Sequence, residues 1–306
     1  MNILVTGSNG FIGHHTAEYL KNKGHHIIGL GRQDKPKYPD TVDEYVQCDM
    51  DTDAVADILK FTGVDHIDAV AHLAADMRHE PYCVEVVTGN CGGTQRLLEF
   101  CEYNKVPVFV QLSSLPVIGH PVQHPITEDH PLEPYTVYHI TKHTEEMLAD
   151  YARRYRGVRA ASFRISAPVG IGVNPNTIFP TFVRKALADE PLELSGKGTR
   201  QQNYVHVDDI SQALYLAITN EKAQGTYNLT GDLLISNKSL AEMVIRETES
   251  GSGITFTGKP DPADEYVWDA SLEKIKNDIG YEPKVSMEYA IREYADWLKA
   301  TADQAT

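Results

Sequence analysis

The sequence predicts an α/β fold with a doubly wound parallel sheet, and three observations support that prediction. Apolar runs of strand length recur along the first half of the chain. Segments with helical periodicity separate these runs, and this alternation is typical of a parallel sheet with helices on both faces. A turn with three glycines joins the first apolar run to the first helical segment. The 306 residues are enough for such a domain and a smaller C-terminal α/β lobe.

Composition and charge narrow the class of protein. Apolar residues make up 42% of the chain, which is enough for a sizeable core. The net charge of −15 argues against a nucleic-acid partner, which would require a basic face. No apolar run is long enough to span a membrane, and no signal peptide precedes the first strand, so we expect a cytoplasmic protein. The four cysteines lack metal-type spacing, and we expect no metal site.

The first strand and the turn that follows it predict a phosphate site. Residues 1–6 end in an apolar run, and Gly7, Gly10 and Gly13 follow before a helical pattern that continues to Lys23. Glycines at such a turn allow a tight bend, a close approach of backbone to a pyrophosphate, and close packing of the helix on the strand. The helix N-terminus then faces the anion. The alternative is an ordinary glycine turn.

The end of the second strand, predicted over residues 25–30, bears on the choice of cofactor. A site for NAD usually places an acidic residue there, to bind the ribose hydroxyls. This chain has Gly31 and Arg32 instead. An arginine pairs well with the 2′-phosphate of NADP, so the sequence favours NADP over NAD. The alternative is that Arg32 is an ordinary solvated side chain.

Three further strands and two helices are predicted before residue 113. The strands cover residues 44–48, 67–72 and 106–112, and the helices cover residues 52–61 and 82–103. Small residues follow the strand at 67–72, which suits the close approach of a ligand to the backbone.

Ser114, Tyr138 and Lys142 are the candidate catalytic residues. Ser114 follows a strand, where ligands of such sheets bind. Tyr138 and Lys142 are four residues apart in a helix predicted to run to Tyr155, so they share one helical face. A lysine ammonium beside a phenol should lower the pKa of the tyrosine and make it a usable acid and base. The alternative is a surface pair without function.

The chain after the catalytic helix is predicted to form the smaller lobe. We expect a dinucleotide-binding domain over residues 1–167 and a substrate-binding lobe over residues 168–306, with residues 203–229 returning to the core. Cations such as Arg184, on a helix predicted over 176–189, suit an anionic substrate. Solvated surface charge is an equally good explanation for them.

Several motifs together resemble the extended short-chain dehydrogenase/reductases, in particular their nucleotide-sugar epimerase/dehydratase branch. The similarity covers nearly the whole chain. The segments that carry it include Thr6-Gly7-x-x-Gly10-x-x-Gly13, His72-Leu73-Ala74-Ala75, Asn90, Ser113-Ser114, Tyr138-x-x-x-Lys142, Phe163-Arg164 and Asn203-Tyr204-Val205-His206.

The resemblance implies a Rossmann-type fold, an NAD or NADP cofactor and a role for each matching residue. Tyr138 would be the acid and base, Lys142 would bind the nicotinamide ribose, and Ser114 would bind the substrate oxygen. The implied cofactor-binding residues are Gly7, Asn9, Gly10, Phe11, Ile12, Gly13, Arg32, Asp49, Met50, Leu73, Ala74, Ala75, Asn90, Tyr138 and Lys142. The substrate-binding candidates are Ser114, Arg184, Arg200 and Gln202. The family often pairs as a homodimer through the helices around Cys91 and Tyr138.

Three departures from the family pattern affect the expected reaction. Dehydratases of this family usually carry an Asp-Glu pair after the catalytic hydroxyl residue, whereas Ser114 is followed by Leu115 and Pro116, so dehydration is not expected. Gln202 stands where many nucleotide-sugar enzymes have a diphosphate-binding arginine, and Arg200 is the candidate to replace it. Ile118 stands where the family usually has a tyrosine.

Three functions remain open from the sequence. The first is a nucleotide-sugar 4-epimerase that forms a transient keto-sugar by hydride transfer. The second is an NADPH-dependent reductase or dehydrogenase acting on a keto-sugar or another ketone. The third is a non-catalytic protein that senses the cofactor, against which the intact Tyr138 and Lys142 pair argues. The expected partner in each case is a small molecule.

Overall fold

The computed structural model describes residues 1–78 and 80–303. In the described residues, the N-terminal part contains six strands and four α-helices. Their bounds are β1 (Asn2–Thr6), α1 (Phe11–Asn22), β2 (His26–Gly31), β3 (Glu44–Gln47), β4 (Ala69–His72), α2 (Val84–Val87), α3 (Gly93–Tyr103), β5 (Val108–Ser114), α4 (Val137–Tyr155) and β6 (Arg159–Ile165).

The C-terminal part mixes short strands with helices. Its elements are β7 (Ala167–Val169), α5 (Ile178–Leu187), β8 (Leu192–Leu194), β9 (Gln201–His206), α6 (Val207–Thr219), β10 (Gly225–Leu229), β11 (Leu234–Ser236), α7 (Asn237–Glu247), β12 (Ile254–Phe256), β13 (Val267–Trp268), α8 (Glu273–Ile279) and α9 (Met287–Asp303).

Seven parallel strands form the main sheet, in the order β10-β6-β5-β4-β1-β2-β3. Successive side chains of a strand point to opposite faces of a sheet, and both faces are covered here. Ile3 and Val5 of β1 pack in a core that includes residues of α1 and α6, whereas Leu4 packs on the other face with residues of α3 and α4. The predicted doubly wound sheet is therefore confirmed.

The smaller lobe has its own core. The strands β7, β11 and β13 join β9 in a second sheet, and β8 pairs with β12. The helices α5, α7 and α9 contribute the buried side chains of this lobe. Two elements within residues 203–229 belong to the main sheet region, since α6 packs against α1 and β10 extends the sheet beside β6. The division of the chain at residue 167 remains a prediction.

The predicted uninterrupted helix over 82–103 is partly wrong. The segment begins as α2, widens into a π-helical turn at Thr88–Gly92, and continues as α3. The buried Asn90 lies in the widened turn. Its side chain accepts a hydrogen bond from the Asp76 backbone N–H and donates to the Asp76 carbonyl and to the Thr141 hydroxyl. Side-chain partners from other segments thus stabilise a turn that periodicity alone does not reveal.

A buried ion pair ties α4 to the main sheet. Arg164 of β6 donates two hydrogen bonds to Glu146 of α4, at 2.9 and 2.8 Å, and a third to the carbonyl of Glu128. Burial alone would raise the pKa of the Glu146 carboxyl, but the hydrogen bonds from Arg164 outweigh it and lower the pKa to about 2. The pair therefore holds α4 in a fixed position relative to β6.

We predict that Glu146→Gln lowers the free energy of unfolding by about 3–5 kcal/mol at pH 7, because it leaves the Arg164 charge buried and uncompensated. The folded-state pKa of Glu146 is depressed, so its contribution is present above the ordinary glutamate pKa of 4.5 and is lost as the pH falls toward 2. Urea unfolding at several pH values measures this. Asp57→Asn, which breaks an exposed pair with Lys60, is the control and should change stability little. Equal losses in the two variants would contradict the prediction.

Candidate cofactor and active site

A cavity of about 1030 Å³ opens at the carboxyl ends of the parallel strands, and the smaller lobe closes its other side. The cavity is lined by all of the residues predicted to bind the cofactor except Lys142, which is buried beyond its wall. Of the predicted substrate residues, Ser114 and Gln202 line the cavity, and Arg184 and Arg200 do not. The structure thus brings together residues from widely separated segments of the chain.

The glycine turn has the shape that a pyrophosphate needs. Gly7 has a φ of 68°, and a Cβ there would lie 2.8 Å from the Ala74 backbone nitrogen. A Cβ at Gly13 would lie within 1.9 Å of the Gly7 carbonyl oxygen, so only glycine lets α1 approach the turn this closely. Gly10 precedes α1 without a side-chain cap, and no acidic residue occupies the first turn of the helix. These features leave the helix N-terminus suited to a phosphate.

The loop after β4 is fixed beside this turn. Thr6 accepts hydrogen bonds from the backbone N–H groups of Leu73 and Ala74, both at 3.1 Å, and its hydroxyl also contacts His72 at 2.8 Å. Burial and the Lys142 charge lower the pKa of His72 to about 3, so its imidazole is neutral at physiological pH. The carboxyl ends of β1 and β4 therefore form a rigid wall of the cavity.

Side chains of β3 and of the loop after β2 occupy the place where an acid would stand at the end of β2. A Cβ at Gly31 would lie 2.7 Å from the Tyr45 hydroxyl and 3.2 Å from the Gln33 side-chain oxygen. Tyr45 is held there by hydrogen bonds with Asn9 and the Gln33 carbonyl. The exposed Arg32 lines the cavity next to this point. The end of β2 thus offers a cation and no room for a carboxylate side chain at residue 31.

The catalytic candidates come from two elements. Ser114 ends β5, and Tyr138 lies in the first turn of α4, where the Thr136 side chain caps the helix by accepting from the His139 N–H. Both Ser114 and Tyr138 line the cavity. Lys142 lies one turn later, and its ammonium donates to the Glu145 carboxylate at 2.8 Å. Sequence reasoning missed Glu145, because nothing in the local pattern marks it as buried beside the lysine.

The expectation that Lys142 makes Tyr138 more acidic than an ordinary tyrosine is wrong for the chain without a bound ligand. Burial raises the pKa of Tyr138, the Lys142 charge lowers it, and the Glu145 charge raises it again, with a net upward shift. Spacing predicted the favourable lysine correctly. It could not predict how deeply the phenol is buried or which anion lies beside the lysine.

The substrate side of the cavity is more neutral than the sequence suggested. Gln202 lines it and donates to the Tyr204 hydroxyl at 2.7 Å. Burial raises the pKa of Tyr204 to about 12. Arg184 contacts the Pro175 carbonyl on an exposed surface. The Arg200 Nε is buried and has no hydrogen-bond partner among the described residues.

Other kinds of site can be assessed in the described residues. Within the described part of the chain, no helix is both long and apolar enough to cross a bilayer. One group in that part, His206, Asp208 and Glu293, brings possible metal-ligand atoms within 4.8 Å of one another. The Nε2 of His206 contacts Glu293 at 2.9 Å, and its Nδ1 accepts from the Asp208 N–H, so both imidazole nitrogens already have protein partners.

The chain matches the model of the NAD-dependent epimerase/dehydratase family over residues 3–230. Two of the similar curated proteins are a dTDP-glucose 4,6-dehydratase from Streptomyces niveus and a UDP-glucose 4-epimerase from Halalkalibacterium halodurans. The first is 25% identical over 98% of this chain and 93% of its own. The second is 28% identical over 98% of this chain and 96% of its own.

Solved structures resemble the whole chain. The UDP-glucose 4-epimerase from Thermotoga maritima, solved with UDP-glucose, superposes with a TM-score of 0.88 at 24% identity, over 99% of this chain and all of that one, and shows the same fold. The UDP-glucuronic acid 4-epimerase from Bacillus cereus, solved with NAD, has a TM-score of 0.84 at 25% identity, over 98% of this chain and 99% of that one.

Proposed function

The chain belongs to the NAD-dependent epimerase/dehydratase family of enzymes, and we propose that it is a nucleotide-sugar 4-epimerase working through a transient keto-sugar. The observation that carries the proposal is that Ser114 and Tyr138 line the same cavity as the glycine turn. The similar epimerases of known structure, solved with UDP-glucose or with NAD, support it.

The segment after Ser114 argues against dehydration. Removal of water from a sugar requires a group that protonates the departing hydroxyl. Leu115 and Pro116 follow Ser114, and Leu115, Val117 and Ile118 are buried, so this turn offers no carboxyl group. Asp76 also lines the cavity, but its hydrogen bonds from Arg78 lower its pKa, which makes it a poor proton donor. Epimerisation requires no such acid.

In the proposed reaction the chain binds the sugar and moves a proton. Bound dinucleotide supplies the chemistry of hydride acceptance and return, and the residues that would hold it are those around Gly7, Gly10 and Gly13. Ser114 donates a hydrogen bond to the sugar oxygen and positions it. Tyr138 takes the hydroxyl proton as the ketone forms and returns it when the ketone is reduced on the other face. The Lys142 ammonium stabilises the phenolate that is present before the first proton transfer and again after the second.

The second candidate is an NADPH-dependent reductase of a keto-sugar or another ketone. It would use the same Ser114, Tyr138 and Lys142, and would release the oxidised cofactor after each turnover. The side chains of Tyr45 and Gln33 beside Gly31, together with Arg32 at the cavity edge, favour a 2′-phosphate and therefore this alternative. The similarity to solved 4-epimerases along the whole chain supports the epimerase, which we therefore propose as the first candidate.

We predict that Tyr138→Phe lowers turnover by at least a factor of about 100, since it removes the proton-transfer group. The measurement incubates the purified chain and its retained cofactor with a panel of nucleotide sugars and follows conversion between 4-epimers. Dinucleotide binding by the variant should persist.

Tyr135→Phe, three residues earlier and exposed, is the matched control and should retain activity. Full activity of Tyr138→Phe would remove Tyr138 from the mechanism. Stoichiometric consumption of added NADPH would favour the reductase instead.

If Arg32 binds a 2′-phosphate, NADP should bind more tightly than NAD. Arg32→Gln should then weaken NADP binding by about tenfold or more, the usual cost of losing a charged hydrogen bond, and leave NAD binding nearly unchanged. Isothermal titration calorimetry of both dinucleotides measures this. Lys37→Gln, on the same exposed loop, is the control. A preference for NAD in the unaltered chain would contradict this reading of Arg32.

We also propose that two copies of the chain pair through the outer face of α4. Ile140, Met147, Tyr151 and Tyr155 are all about half exposed or more and lie along one stripe of that helix. Tyr103, at the end of the neighbouring α3, is 86% exposed. A second copy that presents the same four residues could cover this apolar stripe, because pairing about a two-fold axis buries both stripes at once.

We expect the unaltered chain to sediment as a dimer and the Met147→Glu/Tyr151→Glu double variant to sediment as a monomer, because charges would then be buried at the interface. Sedimentation velocity distinguishes the two states. Phe256→Glu places a charge on another exposed apolar residue, on β12, and should remain dimeric. A monomeric parent chain would overturn the proposed pairing.

A further inference from the structure

Glu145 is a buried residue of α4, the helix that carries Tyr138 and Lys142, and the proposed reaction gives it no role. Its carboxylate contacts the Lys142 ammonium at 2.8 Å, one helical turn away. Both side chains are almost completely buried, at 4% exposure for Lys142 and 1% for Glu145. The other carboxylate oxygen of Glu145 is buried without a hydrogen-bond partner among the described residues. The lysine is therefore the principal group that compensates this charge.

The neighbouring Glu146 on the same helix has a structural role, and its contacts differ from those of Glu145. Its carboxylate is satisfied by two hydrogen bonds from Arg164 and lies near His143. Glu145 has no such arginine. A buried carboxylate held by a single ammonium stabilises the fold poorly, because desolvation of both charges offsets their attraction. Its position is better explained by an effect on the lysine.

We propose that Glu145 is a positioning residue of the reaction. It holds the Lys142 ammonium and weakens the electrostatic effect of that ammonium on the Tyr138 oxygen. The inference rests on the proposed role of Tyr138 as the proton-transfer group. When the Glu145 carboxylate is ionised, it competes with the phenol and the cofactor ribose for the Lys142 ammonium. When the carboxylate is neutral, the ammonium lowers the pKa of the phenol more strongly. The acidity of Tyr138 thus depends on the charge of Glu145.

The groups around Glu145 support this coupling. On α4 they are Lys142, Glu146 and Tyr138, and the π-helical turn before α3 contributes Cys91. The charge of Glu145 raises the pKa of Tyr138, opposite to the effect of Lys142. Burial raises the pKa of Glu145 itself to about 7, even with Lys142 beside it. The carboxylate is therefore ionised above pH 7 and takes up a proton as the pH falls below it.

The test measures the ionisation of Tyr138 without any substrate. The ultraviolet absorbance of tyrosinate is titrated in the purified chain and in its Tyr138→Phe variant, and the difference isolates Tyr138 among the 16 tyrosines. Glu145→Gln keeps the side-chain shape and an oxygen for Lys142 but removes the charge. It should move the Tyr138 midpoint down by about one pH unit, the usual effect of a nearby charge. An unchanged or higher midpoint overturns the proposal.

The control removes one negative charge from α4 at a position far from Tyr138. Asp150→Asn lies twelve residues from Tyr138, so about 18 Å of helix separates the two, and the Tyr138 midpoint should not move. A shift as large as that of Glu145→Gln would show a general charge effect and overturn the proposal. The pH profile of turnover, where a substrate is found, should follow the same order among the variants.

A second variant keeps the test decisive if Glu145→Gln does not fold. Glu145→Asp keeps the charge but retracts it by one methylene, so it holds the ammonium less closely. Its Tyr138 midpoint should fall below that of the parent by less than the roughly one pH unit expected for Glu145→Gln, and a midpoint that does not fall below that of the parent overturns the proposal. The titration of Tyr138 needs no substrate. Its outcome therefore does not depend on whether the chain epimerises any of the nucleotide sugars in the panel.

Discussion

The site depends on one buried positive charge. Lys142 lies in the interior between α4 and the sheet, and its ammonium can remain charged there only because anionic and polar groups surround it. Burial lowers the pKa of this lysine, but the Glu145 carboxylate outweighs burial and the net shift is upward. The same charge lowers the pKa of His72 and opposes the upward shift of the Tyr138 pKa. The placement of this charge therefore affects the protonation of both His72 and Tyr138.

Placing that charge requires α4 to be fixed on several sides. The Arg164 pair with Glu146 fixes the helix to β6. The Asn90 hydrogen bonds join it, through Thr141, to the loop after β4. That loop is in turn bound to Thr6 at the end of β1. The parts of the cavity around Tyr138 and around the glycine turn are therefore joined in one hydrogen-bonded framework.

Much of this arrangement could be predicted because it is encoded locally. The strands of the main sheet are short apolar runs, and the glycine turn must be glycine because a Cβ at Gly13 would collide with the Gly7 carbonyl. The predicted cofactor residues follow strands whose carboxyl ends share one edge of the sheet, so they line one cavity, with Lys142 just beyond its wall. The π-helical turn at Thr88–Gly92 could not be predicted, because its Asn90 finds partners in the loop after β4 and on α4, remote in the chain.

The sequence by itself determined the α/β class, the glycine turn, the spacing of Tyr138 and Lys142 on one helical face, and the absence of an acid after Ser114. These features depend on residues that are close together in the chain. Only the tertiary structure decided that Arg184 and Arg200 lie outside the cavity lining, that Tyr45 occupies the space beside Gly31, and that Glu145 faces Lys142 in the interior. Burial and the charges of neighbouring segments set the acidity of Tyr138, and both arise only when distant parts of the chain pack together.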